Sequence, residues 1–217
     1  MRSYGQFCAL AKGLDVIGDR WSLLIVRELM LIGACRYTDL LNGLPGIATN
    51  LLADRLRDQE AAGIVRREAA PPPIATTLDR LTARGEALRP VVRELGRWGA
   101  PLLAEAGDDE AFRSYWISLP LELYYYDPTP EYPPVTIELR MGDDPMVIET
   151  VDGAIQARRG SAQPPDAVLT GSPRLTIGVL SGRLDLEDAR RQGLALEGNP
   201  AVLSRVRSSS LPAPVAS

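Results

Sequence analysis

Three adjacent residues, Ala48, Thr49 and Asn50, have side chains that suit contact with the base edges of DNA. They lie near the start of GIATNLLADRLRDQEAAGIVRRE, residues 46–68, which predicts one helix followed by a basic strand. An asparagine amide forms a bidentate hydrogen-bond pair with adenine, and a threonine contacts a thymine methyl group or a phosphate. The alternative is that Thr49 and Asn50 only cap the helix, which is the commoner role of these residue types at a helix start.

Four arginines near this helix are candidates for contacts to phosphate, with the positive end of the helix assisting. The guanidinium group suits this role because its fork of donors matches phosphate oxygens. The four are Arg36, Arg57, Arg66 and Arg67. The alternative is that they are only solvated surface charges. Arg55 is a poorer candidate, because internal pairing with Glu28 or Asp58 is equally expected.

The composition of the 217 residues excludes several chemistries and leaves nucleic-acid binding open. There is no histidine. That removes the usual zinc sites, Ser-His-Asp and Cys-His nucleophiles and histidine general bases, and we expect neither a metal nor a cofactor. The formal charge of −4 is unevenly spread: residues 1–107 hold 14 basic and 12 acidic side chains, and residues 108–217 hold 10 and 16. This asymmetry predicts two domains with different partners.

The expected compartment is the cytoplasm. No apolar run approaches the roughly 20 residues that a membrane span requires, and the start of the chain lacks the order of a secretion signal. The two cysteines, Cys8 and Cys35, are too few for a disulfide framework. We therefore expect a protein of a reducing compartment with no membrane contact.

The elements that must position residues 48–50 are predicted to be helices. CALAKGLDVI predicts an amphipathic first helix, and Asp19 is expected to cap the strongly apolar helix RWSLLIVRELMLI. Thr38 is expected to cap the short helix TDLLNGL. In the helix that carries residues 48–50, Leu52 and Leu56 are expected to face the core because they are four residues apart.

A β-hairpin pattern follows, with strands IVRRE and TTLDR joined by a loop that contains three prolines. Two helices joined by a short turn and followed by a hairpin make a winged helix-turn-helix. Residues 81–106 then keep a helical apolar stripe, which Pro90 interrupts near its start. A stripe that continues beyond a small globule needs a cover, and a second copy of the same helix is the simplest one.

These patterns together resemble the HxlR-type bacterial transcription regulators, relatives of the MarR type. The resemblance covers residues 4–100 and is carried by FCALAKGLDVIGDRWSLLIVREL, RYTDLLNGLPGIATNLLADRLRDQEAAGIVRRE and LTARGEAL. It implies a winged-helix homodimer that binds double-stranded DNA and pairs through its first and last helices. Two departures are Gln59, where such helices usually place an inward leucine, and the wing tip, residues 69–75, which carries no basic residue.

Cys8 lies near the start of the first helix, where some relatives have a cysteine that senses oxidants or electrophiles. The resemblance therefore makes Cys8 a candidate redox sensor, and the positive charges of Arg2 and Lys12 are expected to favour its thiolate. The alternative is that Cys8 is a small apolar residue at the dimer interface.

Residues 108–207 predict a second domain with α+β organisation. FRSYWISLPLELYYYDP predicts an aromatic-rich helix, and VTIELRMG, PMVIETVDG and AIQARRG predict antiparallel strands. Ile137, Leu139 and Met141 are expected to face inward, and Glu149 is expected to face water. Two short helices, the strand LALEG and the helix NPAVLSRV follow, and residues 208–217 are expected to be a disordered tail.

The second domain resembles the sterol carrier protein 2 fold. The phrases that carry this resemblance are VDGAIQARRG, PDAVLTGSPRLTIGVLSGRL and GLALEGNPAVL. In that fold an apolar tunnel between sheet and helices accepts lipid-like ligands, which implies a pocket for an apolar small molecule. The candidate lining residues are Trp116, Leu119, Leu123, Tyr124, Tyr125, Ile137, Ile148, Ile177 and Leu180. The alternative is ordinary packing, because any sheet-and-helix core contains such residues.

The sequence therefore predicts an α+β protein, with a winged helix-turn-helix domain over residues 1–107 and an antiparallel-sheet domain of sterol-carrier type over residues 108–207. The favoured function is a transcription regulator, most simply a repressor, that binds a palindromic operator as a homodimer and takes an apolar effector in its second domain. The alternative is a lipid or small-ligand carrier whose winged-helix half only serves dimerisation. An enzyme is not expected, because the sequence has no phosphate-cradling glycine loop, no metal-ligand cluster and no histidine. The carboxylates of Asp127, Asp143 and Asp144 are expected to serve turns rather than catalysis.

Overall fold

The computed structural model describes residues 3–70, 76–107 and 110–209. The helices α1 to α9 are Ala9–Ile17, Ser22–Ile32, Tyr37–Gly43, Thr49–Ala61, Ala83–Glu86, Arg89–Gly99, Ser118–Tyr124, Pro173–Leu180 and Leu186–Arg191. The strands β1 to β9 are Val65–Ala69, Thr77–Leu81, Tyr125–Tyr126, Thr136–Arg140, Met146–Val151, Ala154–Arg159, Ala167–Thr170, Ala195–Gly198 and Arg207–Ser208. Short 3-10 helices lie at Ala100–Glu105, Ser114–Ile117 and Pro200–Arg205.

The chain divides into two compact units, Met1–Leu95 and Gly96–Ser217. The division falls within α6, twelve residues, or about three helical turns, before the boundary after residue 107 that the change in composition suggests. No helix in the described part of the chain is long and apolar enough to cross a membrane.

The core of the first unit is formed by apolar side chains of α2, α3, α4 and the hairpin. Ile25 and Val26 of α2, Leu40 of α3, and Leu52 and Leu56 of α4 are inaccessible to solvent. α2 packs centrally because SLLIVRELMLI is apolar around most of its circumference. In α4 only a narrow stripe is apolar, so one face is buried and the other remains exposed. The predicted inward orientation of Leu52 and Leu56 is confirmed.

The start of α2 differs from the prediction that Asp19 caps it. Trp21 occupies the N-cap position, with a positive φ of 80°. The Asp19 carboxylate is instead bound by the guanidinium group of Arg55 in α4. A carboxylate that finds a cation from another helix is not available to the backbone of its own helix.

The start of α3 also differs from the prediction, since Thr38 does not cap it. The helix begins one residue earlier, at Tyr37, and Arg36 holds the N-cap position. The carboxylate of Asp39 accepts a hydrogen bond of 2.9 Å from the backbone N–H of Arg36. In a capping box the side chain at the third helical position accepts a hydrogen bond from the N-cap backbone, and Asp39 makes that bond here. The first turn is therefore capped by this carboxylate and not by a threonine hydroxyl.

The wing is an antiparallel hairpin in which Val65 pairs with Leu81 and Ala69 pairs with Thr77. Both strands lie one residue later than the sequence pattern predicted. The three prolines of the loop between the strands, residues 71–73, lie outside the described residues.

The helix predicted over residues 81–106 is divided into α5, α6 and a 3-10 helix. Pro90 stands in the first turn of α6, where a missing N–H leaves no helical hydrogen bond unmade. α5 begins earlier, with the hydroxyl of Thr82 accepting a hydrogen bond of 3.1 Å from the N–H of Gly85. The apolar stripe of α6 is exposed: Val91, Leu95 and Trp98 all show more than a third of their surface to solvent.

Within the described residues, the second unit is built on one seven-stranded sheet with the order β8-β7-β4-β5-β6-β3-β9. The sheet is mixed, because β4 and β7 are parallel, with Ile137 opposite Ala167. The prediction of an antiparallel sheet is therefore wrong for this pair. After β6 the chain crosses to the free edge of β4, and the loop at residues 160–166 delivers β7 in the same direction as β4.

The pleat of β4 and β5 follows the expected pattern only in part. Ile137, Leu139 and Met141 are buried, as predicted. Glu149 is only half-buried and accepts a hydrogen bond of 3.1 Å from Arg158. The residues before it, Met146–Ile148, are all buried, so β5 is covered on both faces rather than on one.

The predicted aromatic helix and the predicted tail are both partly strands. Residues 114–117 form a 3-10 turn, α7 ends at Tyr124, and Tyr125 pairs with Ser208 in β9. The predicted disordered tail begins at Ser208, and the prediction is wrong for that residue because Ser208 belongs to β9. Residues 210–217 lie outside the described part of the chain.

A buried ion pair ties the end of the second unit to the loop that precedes β4. The guanidinium group of Arg205 donates to both carboxylate oxygens of Asp127, at 2.9 and 2.6 Å, and to the carbonyl oxygens of Tyr132 and Pro133. The Asp127 side chain is almost wholly inaccessible. The hydrogen bonds from Arg205 hold the pKa of Asp127 at about 2, against an ordinary 3.8.

Candidate nucleic-acid interface

The start of α4 presents exposed polar side chains that do not serve the helix itself. Ala48 occupies the N-cap position, with extended backbone and no side-chain cap. Ala48, Thr49 and Asn50 are all exposed. Within the described residues, no hydrogen bond engages the hydroxyl of Thr49 or the amide of Asn50. The capping alternative therefore does not describe these two side chains, whose donors and acceptors are available.

Two side-chain hydrogen bonds from neighbouring helices position α4. The Tyr37 hydroxyl of α3 donates to the carbonyl oxygen of Thr49 at 2.5 Å. The buried amide of Gln59 donates from Nε2 to the carbonyl oxygen of Ser22 at 2.9 Å. Together they hold both ends of α4 against the preceding helices. Gln59, the departure from the usual inward leucine, is thus an inward residue that makes a polar contact.

Arg55 belongs to the support of α4 rather than to its exposed face. Its guanidinium group binds Asp19, in the turn between α1 and α2, and Asp58 in α4 at 2.9 Å. Pairing with Asp58 was one of two predicted alternatives, and the other partner, Glu28, is instead bound by Arg27. Arg55 therefore anchors α4 to the turn that precedes α2.

The four arginines predicted to contact phosphate are all exposed, but they differ in their partners. Arg57 binds the carboxylate of Asp54 in its own helix. The guanidinium group of Arg66 lies 3.4 Å from the carboxylate of Glu68, and that of Arg67 lies 3.0 Å from the carboxylate of Asp79. Arg36 has no ion pair within the described residues. Exposed ion pairs contribute only about 0–1 kcal/mol each, so a phosphate can replace these carboxylates at small cost.

The pair of Arg67 and Asp79 is expected to be harder to separate than the other two, because the Asp79 side chain is buried. Burial raises the pKa of Asp79 above its ordinary value, and the hydrogen bond from Arg67 opposes this rise. The backbone of Asp79 also pairs with Cys35. Arg67 thus neutralises a buried carboxylate at the base of the wing, and we expect it to leave that carboxylate less readily than Arg57 or Arg66 leaves its partner.

The two cysteines have contrasting surroundings. Cys8 is exposed at the N-cap position of α1, and Cys35 is buried at the base of the wing. Burial, with the nearby carboxylates of Asp39, Asp79 and Glu28, raises the pKa of Cys35 to about 12. Only Cys8 is therefore accessible to reagents in the folded protein.

The residues predicted to line an apolar pocket all belong to the second unit, and many are packed in its core. Tyr124, Tyr125, Ile137, Ile148 and Leu180 are buried. Ile137 lies directly opposite Ile148 across β4 and β5, so these two share one face of the sheet. The other four predicted lining residues are half-buried: Trp116, Leu119, Leu123 and Ile177. The existence of a tunnel between them stays a prediction.

Sequence reasoning missed Tyr37, Asp19 and Ser22 as supports of α4. Their partners are 12, 36 and 37 positions away in the chain. A tyrosine at the start of a short amphipathic helix is expected to have a half-buried ring, but the sequence does not indicate which acceptor its hydroxyl finds. A signal existed for Gln59, since an amide at an inward helical position requires a hydrogen-bond partner.

Helices α3 and α4 followed by the hairpin define the class of winged helix-turn-helix proteins. The family model for HxlR-like helix-turn-helix proteins matches residues 16–106. The chain is 35% identical over 101 residues to the uncharacterized HTH-type transcriptional regulator sll1512 of Synechocystis, covering 46% of this chain and 74% of that one. It is 32% identical over 99 residues to the HTH-type transcriptional regulator YodB of Bacillus subtilis, covering 46% and 87%. The chain therefore belongs to the HxlR-like family of helix-turn-helix transcriptional regulators.

Solved structures of two relatives show a similar extent of match. The reduced form of YodB from B. subtilis is 28% identical, covers 47% of this chain and 100% of its own, and superposes with a TM-score of 0.40. The redox regulator HypR in its oxidized form is 32% identical, covers 43% and 95%, and has a TM-score of 0.39. The family match ends at residue 106, so the likeness of the second unit to the sterol carrier protein 2 fold stays a prediction.

Proposed function

We propose that this protein is a sequence-specific DNA-binding regulator that places the start of α4 in the major groove. The observation that carries the proposal is the exposed start of α4, where the side chains of Thr49 and Asn50 make no hydrogen bond within the described residues. An amide so placed can pair with adenine, and the first N–H groups of the helix can face a phosphate. Arg36, Arg57, Arg66 and Arg67 supply the surrounding positive charge, with Arg36 the most readily available.

A homodimer would give this interface its symmetry. Phe7, Leu10 and Leu14 around α1 are exposed, as are Leu95 and Trp98 of α6, and Trp98 shows 73% of its surface to solvent. Apolar residues repeated along two helices are a surface that a second copy can cover. Two copies related by a twofold axis would set their α4 helices roughly 34–36 Å apart, which suits a palindromic operator.

Repression is the simplest mode of action for such a dimer, because occupancy of an operator needs no further contact. Cys8 is a second candidate control point. It is exposed at the start of α1, beside the residues that the dimer would cover. A relative, HypR, is described as a redox regulator, and modification of the Cys8 thiol would change the same surface. An apolar effector in the second unit remains part of the proposal, on the sheet-and-helix resemblance alone.

The test selects DNA from a random pool with the purified protein and then measures affinity for the selected and scrambled duplexes by fluorescence anisotropy over a salt series. We expect a preference of about a thousandfold or more for the selected duplex. Asn50→Ala should weaken binding to it by about 5- to 150-fold, the equivalent of about 1–3 kcal/mol for one bidentate contact. Gln156→Ala, which removes an exposed amide from β6, is the matched control.

Failure to enrich any sequence, with equal and weak binding to all duplexes, would contradict the regulator and favour the carrier alternative. The dimer is tested separately by sedimentation velocity. Trp98→Asp should dissociate it and reduce DNA affinity, whereas Tyr126→Asp, which places the same charge on an exposed aromatic residue of β3, should do neither. A wild-type monomer at micromolar concentration would refute the twofold arrangement.

A further inference from the structure

The first unit contains a cavity, open to solvent on one side, whose lining includes none of the residues proposed to contact DNA. It has a volume of about 240 Å³ and lies beside α1, at the junctions that follow α4 and β2. The lining residues are Lys12, Gly13, Val16, Ile17, Ile64, Arg84 and Leu88. The cavity is somewhat smaller than the roughly 300–1,000 Å³ of sites for drug-sized ligands, so it suits a small molecule.

One part of the cavity wall is apolar and firmly placed. Ile64 is buried in the core, and Val16, Ile17 and Leu88 are half-buried against the same core. Gly13 also lines the cavity, and a Cβ placed there would meet nothing within 4 Å, so the space next to Gly13 is open. An aliphatic or aromatic body of a ligand would therefore contact these four branched side chains without moving the helix.

The other part of the wall is positively charged. Lys12 and Arg84 are the charged residues of the lining, and no carboxylate is among the lining residues. The Lys12 ammonium lies 3.6 Å from Asp15, which partly satisfies it. Arg84 has neither an ion pair nor a side-chain hydrogen bond within the described residues. A guanidinium group with its donors unused, at the edge of an apolar cavity, is complementary to a carboxylate.

We propose that this cavity is a binding site for a small apolar carboxylate. The carboxylate group binds Arg84, with Lys12 adding positive charge, and the hydrocarbon body lies against Val16 and Ile64. The charged end of the ligand is thus bound by the basic side chains, and its hydrocarbon body contacts the apolar side chains. The polar contact orients the ligand in a small site, and the apolar contact adds affinity.

Binding at this site is linked to DNA affinity if the proposed regulator function holds. Ile64 follows directly after the end of α4, and its N–H donates to the carbonyl oxygen of Gln59 in α4 at 2.9 Å. Thr82, which caps α5, donates its N–H to the carbonyl oxygen of Ile64 at the same distance. A ligand against Ile64 and Arg84 therefore contacts the segments that carry α4 and the wing, and a difference in ligand affinity between free and DNA-bound protein would follow.

The test measures binding by isothermal titration calorimetry with benzoate and hexanoate, and with the neutral isostere benzamide, in the absence of DNA. We expect the two carboxylates to bind with Kd below about 10 mM and benzamide to bind at least about tenfold more weakly. Arg84→Gln should weaken benzoate to the level of benzamide. Gly13→Leu places a large side chain in the cavity, and because leucine is favoured over glycine inside a helix, it should abolish binding without unfolding α1.

The proposal is overturned if neither carboxylate binds below about 10 mM, if benzamide equals benzoate, or if Gly13→Leu leaves binding unchanged. The calorimetric result does not depend on DNA, so it stands or falls separately from the regulator function. DNA anisotropy with and without benzoate then tests the linkage: a change of affinity in wild type that is absent in Gly13→Leu supports it. Benzoate binding with unchanged DNA affinity refutes the linkage and leaves the site established.

Discussion

Replacement of Gln59 by leucine is a sharp test of how α4 is held, because the two ends of its buried amide have opposite effects. Gln59 is 1% exposed. Its Nε2 donates to the Ser22 carbonyl at 2.9 Å, whereas its Oε1 is buried with no hydrogen-bond partner. Leucine removes both atoms and fills nearly the same volume with apolar surface.

The magnitude follows from weighing these two atoms. Loss of one neutral hydrogen bond costs about 0.5–1.5 kcal/mol, and the Ser22 carbonyl keeps the bond that it accepts within the ladder of α2. Removal of a buried unpaired oxygen relieves about 1–3 kcal/mol. We therefore expect Gln59→Leu to stabilise the first unit by about 1 kcal/mol. Gln59→Ala, which leaves a cavity as well, should destabilise it by about 2 kcal/mol or more.

The assay must report on the first unit alone, because two units need not unfold together. Trp21 lies in the first unit and Trp98 and Trp116 lie in the second, so a Trp98→Phe, Trp116→Phe background leaves Trp21 as the only tryptophan. Urea unfolding followed by its fluorescence should show a midpoint about 0.5–1 M higher for Gln59→Leu. A midpoint lower than that of the parent, with an unchanged slope, would refute the assignment of Oε1 as unpaired and the weighing built on it.

Three further outcomes are expected. Arg36→Ala should lower the slope of log affinity against log salt by about 1, and Arg57→Ala should lower it by less, because Arg57 already binds a carboxylate of its own helix; equal slopes in anisotropy titrations would contradict this. A thiol reagent should label Cys8 in the native protein and Cys35 only after denaturation, because burial raises the pKa of Cys35 to about 12; similar native rates would show that Cys35 is accessible. The pKa of Asp127 is depressed to about 2 in the folded protein, so its contribution of roughly 2 kcal/mol is present above pH 4 and is lost as pH falls towards 2. Asp127→Asn should lower stability at neutral pH and flatten that acid dependence, and an unchanged acid profile would count against the ion pair.

The first unit was predictable where the information is local. The spacing of Leu52 and Leu56 predicts which face of α4 is buried, since a helix brings residues four apart to one side. The helix caps were less predictable. Asp19 has a suitable type and position to cap α2, but a carboxylate binds whichever donor the fold brings closest, and in the folded chain that donor is Arg55.

The second unit shows a different limit. The alternation of Ile137, Leu139 and Met141 predicts β4 and its buried face. It does not predict that β7 lies beside β4 in the parallel direction, because strand pairing depends on where the intervening chain crosses the sheet. The same holds for Tyr125, whose place in a strand depends on pairing with Ser208 far along the chain.

By itself the sequence determined the winged helix-turn-helix class, the helix that carries Ala48, Thr49 and Asn50, and the absence of histidine chemistry. These follow from hydrophobic spacing, motif order and composition, which are properties of neighbouring residues. Only the tertiary structure decided that the side chains of Thr49 and Asn50 make no capping bonds, that Arg36 has no ion pair among the described residues while Arg55 does, and that Gly13 and Arg84 line the same cavity. Each of these depends on side chains that are distant in the chain and adjacent in space, and no local pattern encodes that adjacency.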